Sequence, residues 1–200
     1  MSAAFFLSIE FQESSNFIYR IYKAALGRQP SYAEFAADRS KIPTADGVPP
    51  NKLPLELDFI SRPEFTAKYP TDLGGLAFID ALLKTVKDQS GVDLSNLRIE
   101  LLIELDNCRN LAPSQEFCRA RIVERVADQA AFRQAVFSES FVLMEYFGYL
   151  RRNPNEPPDT DFSGYNFWLN KLNQFNGNFV NAEMVKAFIS SIEYRQRFGP

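Results

Sequence analysis

Residues 17–30 read FIYRIYKAALGRQP, and residues 141–154 read FVLMEYFGYLRRNP. At a constant offset of 124, Phe17 falls on Phe141, Ile18 on Val142, Tyr22 on Tyr146, Leu26 on Leu150, Arg28 on Arg152 and Pro30 on Pro154. In the first copy, Phe17, Ile18, Ile21, Tyr22, Ala25 and Leu26 follow an i, i+1, i+4, i+5 rhythm, which lines one face of a helix. Ser14, Ser15 and Asn16 are N-cap candidates for that helix. Gly27 is suited to end it, and Pro30 prevents its continuation. The second copy is apolar around more of its circumference, so the helix through Phe141, Val142, Glu145, Tyr146 and Leu150 is expected to be the most buried.

A second pattern closes each stretch. Residues 59–65 read FISRPEF and residues 188–194 read FISSIEY, while residues 5–11, FFLSIEF, form a third version. A weaker pair lies between: residues 78–83, FIDALL, resemble the start, and residues 126–132, VADQAAF, resemble the ending. Recurrence at this spacing is the signature of stacked helical units. The expected units are 17–65, 78–132 and 141–194, with residues 1–11 as the tail of an incomplete one.

Further helical stripes run through Leu97, Leu101, Leu102 and Leu105, through Ile122, Val123, Val126 and Ala127, and through Met184, Val185, Phe188, Ile189 and Ile192. Leu53, Leu55 and Leu57 alternate briefly, but Pro54 favours a helix start over a strand. Each unit reads as helix, loop, helix, loop, helix. The polar, proline-rich linkers at 43–51, 69–74 and 153–161 are too short to separate domains. The fold class expected is all-α, a compact bundle of repeated three-helix units around one core.

Composition bounds the function. With 19 Phe and 8 Tyr, most aromatic rings must be interior. The net charge of −3, with acidic and basic residues interspersed, argues against nucleic-acid binding. No apolar run reaches the roughly 18 residues of a transmembrane helix. Met1–Phe11 lacks the basic start of a signal peptide. The chain contains no histidine, which removes the usual Ser-His-Asp and Cys-His nucleophiles. No phosphate-cradling or nucleophile-elbow glycine motif occurs, and a non-enzymatic role with no cofactor is expected.

The candidate sites each have a structural alternative. Asp159, Asp161 and Ser163 fit the opening of a calcium loop, D-x-D-x-S-G, although the ninth and twelfth places hold Phe167 and Asn170. The alternative is that Asp161 caps the helix carrying Trp168. Tyr165 and Trp168, with Phe167 and Phe175, offer an aromatic platform for a glycan; Tyr165, Trp168, Leu169, Leu172 and Phe175 also fit a core stripe, as do Tyr32 and Phe35 in the first unit. Arg151 and Arg152 follow a helix end and suit either that end's dipole or an acidic partner. Glu10, Glu64 and Glu193 recur in the endings and suit pairing with an arginine of their own unit, such as Arg195. Cys108 and Cys118 are either a short disulfide loop or two separate buried thiols.

The turn Leu26-Gly27-Arg28-Gln29-Pro30 and the ending Phe188-Ile189-Ser190-Ser191-Ile192-Glu193-Tyr194 resemble the bacterial family designated domain of unknown function 4214. The likeness covers nearly the whole chain and is strongest in the outer units. Residues 146–198 resemble versions of acidobacterial type, and the middle unit departs by lacking the Leu-Gly-Arg turn. The resemblance implies a helical fold similar to phycobilisome linker domains, which bind other proteins. It also implies attachment to a larger secreted or surface protein, with an unknown protein or cell-surface partner. It transfers no functional residues. The function expected is an accessory interaction module; the alternative is a divalent-ion or glycan binding domain centred on residues 159–168.

Overall fold

The computed structural model describes residues 9–43, 49–111 and 114–199, with side chains from Glu13 onward. These residues form twelve α-helices and no strand. They are α1 (Ile9–Ile21), α2 (Tyr32–Arg39), α3 (Leu53–Ser61), α4 (Pro63–Lys68), α5 (Gly75–Ser90) and α6 (Arg98–Leu111). The second half continues with α7 (Gln115–Ala127), α8 (Ala130–Ala135), α9 (Phe137–Glu145), α10 (Ser163–Gln174), α11 (Met184–Ser190) and α12 (Ile192–Phe198). No described helix is long and apolar enough to cross a membrane.

The all-α class is as the periodicity indicates, and α1 is its central pillar. Phe17, Ile18, Tyr19, Ile21, Tyr22, Ala24 and Ala25 are essentially inaccessible to solvent. α1 packs against α2, α7 and α9, and its continuation touches α4 and α5. Residues 140–150 are buried without interruption, as their composition predicts. Buried side chains from every third of the chain join one hydrophobic cluster. Aromatic rings supply much of the filling: Tyr22 meets Phe59 edge-on, Phe65 links Phe59 to Tyr69 and Phe78, and Tyr146 meets Phe188. Such contacts add about 0.5–1.5 kcal/mol each beyond burial.

Several details differ from the sequence reading. Ser14, Ser15 and Asn16 are not caps, because α1 already begins at Ile9 and carries Glu10 and Phe11 in the same helix. Ser14 and Ser15 are fully buried, and Asn16 accepts a hydrogen bond from the Ser140 hydroxyl at 2.6 Å. Small polar residues here let α1 approach α9. Residues 1–8, most of the expected tail, lie outside the described residues.

Both motif helices end in a π turn, Tyr22–Leu26 after α1 and Tyr146–Leu150 after α9. Widening to i→i+5 bonding shifts the side-chain phase at the last turn. Gly27 closes the first with φ +79°, its N–H donating to the Tyr22 carbonyl, and Tyr69 donates its hydroxyl to the Ala25 carbonyl at 2.7 Å. Arg151 occupies the place of Gly27 in the second copy and is also left-handed, φ +50°.

Each outer stretch carries four helices rather than three, because the ending breaks in its middle. Arg62 is extended (ψ 145°), as a residue preceding proline prefers. Ser191 is extended (ψ 151°), and its hydroxyl accepts from the Tyr194 N–H at 3.1 Å. Gln129 is extended in the same way between α7 and α8. The break removes Ile192 from the stripe that precedes it; at the start of α12 it is 75% exposed. Phe175 likewise leaves its expected stripe: it lies just past the end of α10 and is exposed.

Candidate functional site

The turn arginines each make five or more side-chain hydrogen bonds. Arg152 donates from Nε and Nη2 to the two carboxylate oxygens of Glu193 at 2.7 and 3.0 Å. Nη2 also reaches Asp159 Oδ2 at 2.8 Å, and Nη1 donates to the carbonyls of Asn153 and Glu156 at 3.0 and 2.9 Å. Arg28 repeats the pattern. Its Nε and Nη2 fork onto Glu64 at 2.8 and 2.5 Å, it reaches Glu34 at 2.7 Å, and Nη1 donates to the Gln29 carbonyl at 3.1 Å. Each guanidinium also lies over the matching tyrosine ring, Tyr22 at 5.0 Å and Tyr146 at 5.3 Å. Bidentate charge-assisted pairs of this kind fix orientation as well as adding energy.

The glutamate of each ending is thus bound to the arginine of its own turn, far away in sequence. Arg195 is not the partner of Glu193; Arg152 is, with Arg197 a longer contact at 3.4 Å. Glu10 falls among the residues whose side chains are not described. The Arg152 side chain is 7% exposed, which commits it to the interior, whereas Arg28 is 37% exposed. Arg152 serves neither as a cap of the preceding carbonyls nor as a handle for a partner, because its donors are taken by the loop and α12. Arg151 instead lies over the Phe198 ring at 4.6 Å. Burial works against the Glu34 carboxylate, but Arg28 and the Ser31 donors hold it down at about 2.

The segment 159–168 is drawn into the same framework. Asp159 faces Arg152, while Asp161 accepts from the Ser163 N–H at 2.8 Å in the first turn of α10. Asp161 thereby satisfies a free helical N–H, although Phe162 holds the N-cap position. Gly164 is required by packing: a Cβ there would lie 2.8 Å from the Tyr146 hydroxyl. No group of three or more metal-binding side chains is present among the described residues. Tyr165 is buried and donates to the Glu139 carbonyl at 3.1 Å. Trp168 is partly buried against Phe188, at 5.6 Å between rings. Phe167, beside it, is exposed.

Cys108 and Cys118 are joined in a disulfide with Cα atoms 5.6 Å apart. They sit on α6 and α7 rather than within the connecting loop.

Sequence reading did not find a cleft of about 990 Å³. It lies between α1, the residues before α3, the α7–α8 junction, the start of α9 and the end of α10. Its floor is an ion network. Arg20 donates to the Ala127 carbonyl at 3.0 Å and pairs with Asp128, which also holds Lys52 at 2.8 Å. Lys52 comes within 3.7 Å of Glu124. Behind it, Glu56 is buried with neither carboxylate oxygen hydrogen-bonded. Burial, then the neighbouring Glu124, pushes Glu56 up to about 7. Burial alone pushes Glu145, deep in α9, to about 8.

No protein-family model matches the chain, and comparison with curated proteins and with solved structures returned no match.

Proposed function

We propose that this chain is a non-enzymatic interaction module of a bacterial secreted or surface protein, built on the framework of domain of unknown function 4214. The observation that carries this reading is the inward use of the motif charges. Arg28 with Glu64 and Arg152 with Glu193 are spent on holding loops to helix ends. Motif residues that build a scaffold leave the surface between them free to be adapted to a partner. The disulfide between α6 and α7 supports an oxidising compartment. Binding would proceed by surface complementarity, and weak contacts from neighbouring modules of a longer protein would add by effective concentration.

The test is made on the native protein in its source cells. Maleimide labelling before and after reduction, on separated compartments, should place the chain outside the cytoplasm with both thiols blocked. Cross-linking there should yield a defined surface component rather than a broad smear. A cytoplasmic pool with two free thiols overturns the localisation; substrate turnover by the purified chain overturns the non-enzymatic role.

A further inference from the structure

The cleft between α1, α9 and the end of α10 is chemically specific. Three cations line it, Arg20, Lys52 and Arg133. Arg20 and Lys52 converge on one carboxylate, Asp128. Arg133, on α8, is exposed and has no ion pair among the described residues. Burial is the main influence depressing Arg20, and the charge of Arg133 depresses it further. Arg20, already paired with Asp128, and Arg133, without such a partner among the described residues, line the same cavity, so a bound anion would meet Arg133.

Glu13 and Asp128 are the acidic part of the lining, and Gln134, Ser138, Asn173 and Asn176 add neutral hydrogen-bonding groups. Asn176 is held in the left-handed region, φ +51°, where the chain turns past the end of α10. Phe137 adds a flat apolar surface. It is 38% exposed, with Gly177 and Phe141 packed against part of its ring. Gly177 has φ +79°, a conformation that favours glycine at this rim. The volume is at the upper end of the ~300–1,000 Å³ range of small-ligand sites.

We propose that this cleft binds an acidic sugar, a uronic-acid residue of an oligosaccharide. The ligand carboxylate would lie against Arg133 on the Arg20 side, as a planar guanidinium fork suits a carboxylate. Vicinal hydroxyls match side-chain amides, which donate and accept together. The C–H face of a pyranose ring matches Phe137. A phosphate would use the cations but leave the amides and the ring unused. An acidic peptide could bond the amides through its backbone, but its acidic side chains carry no C–H ring face to lie on Phe137. This site is separate from residues 159–168, and its ligand is independent of any protein partner.

The test is a titration of the whole chain with trigalacturonate, read by amide chemical shifts. Saturable shifts should gather at Arg133, Gln134, Phe137 and Asn173–Gly177. The fully methyl-esterified trisaccharide keeps its hydroxyls and loses its charges, and should bind about tenfold or more weakly, the worth of one charge-assisted hydrogen bond. Arg133→Gln should weaken trigalacturonate by a similar factor with an unchanged melting temperature, since Arg133 is exposed. Equal binding of the ester, or of R133Q, would overturn the proposal. So would shifts located elsewhere, or none at about 20 mM ligand, some twentyfold above a weak millimolar Kd. N-acetyl-aspartate matching the sugar acid in affinity would overturn the sugar assignment.

Discussion

Arg28→Ala and Arg152→Ala remove the same residue from two matching turns, and they should not cost the same. Arg152 is 7% exposed, and its partners Glu193 and Asp159 are 18% and 34% exposed. Truncation leaves Glu193 largely buried without its counter-charge and frees the carbonyls of Asn153 and Glu156. Removing one member of a buried pair costs about 3–5 kcal/mol. Partial access of water to Asp159 places Arg152→Ala near the lower end, about 3 kcal/mol. Arg28 and Glu64 are 37% and 49% exposed, so water can replace most of what is lost. Exposed pairs are worth about 0–1 kcal/mol, and the second contact to Glu34 puts Arg28→Ala near 1 kcal/mol. For a chain of this size, 1 kcal/mol shifts Tm by roughly 2–4 °C. Scanning calorimetry at pH 7 should therefore show a drop of about 6–12 °C for Arg152→Ala and about 2–4 °C for Arg28→Ala. A double-mutant cycle of Arg152 with Glu193 should show strong coupling. Equal losses in the two variants, or an R152A protein as stable as the parent, would refute the reasoning that Arg152 is an interior tie.

Further outcomes follow from the same geometry. Glu56 and Glu145 have folded pKa values raised by burial, so the folded state binds more protons than the unfolded one above about pH 4.3. Their stabilising effect is complete below that pH and is lost as pH rises through about 7 and 8. Tm should fall across this window, and Glu56→Gln with Glu145→Gln should flatten the fall; a Tm rising from pH 5 to 8 would contradict it. Reducing the Cys108–Cys118 bond should cost about 3 kcal/mol by loop-closure entropy, visible as a lower urea midpoint in reductant. Gly27→Ala should lose about 1–2 kcal/mol in chemical denaturation, because φ +79° is strained for alanine and its Cβ would crowd Gln89 at 3.2 Å; an unchanged midpoint would rule out the left-handed turn.

What was legible in the sequence depended on how local the cause was. The burial of α9 follows from its own composition, and the helix start at Leu53 follows from Pro54 in its first turn. Local chemistry favours Ser14 and Ser15 as caps, whereas close packing of α1 on α9 decides their place. The π turns are invisible to a 3.6-residue period. The partner of Glu193 lies 41 residues back at Arg152, and no spacing rule would choose it over Arg195 two residues on. The break at Ser191, which expels Ile192, depends on one serine hydroxyl accepting a backbone N–H. The calcium-like pattern at Asp159–Gly164 gave no hint that Asp159 pairs with Arg152. The cleft could not be read at all, since its walls come from four separated segments.

Asn16 and Ser140 occupy the same place in the two motifs, and they are hydrogen-bonded to each other. Tyr19 donates to Glu139 at 2.6 Å beside them, and Lys23 pairs with the same carboxylate at 3.1 Å. On this account the two aromatic-led helices are the halves of a single core and unfold together. Native-state hydrogen exchange measures this directly, because amides that open only through global unfolding share one free energy. The buried amides of residues 17–24 and 141–149 should fall in one slowest-exchanging class, with equal opening energies and equal dependence on denaturant. If either helix opened several kcal/mol below the other, the two would belong to separate cores.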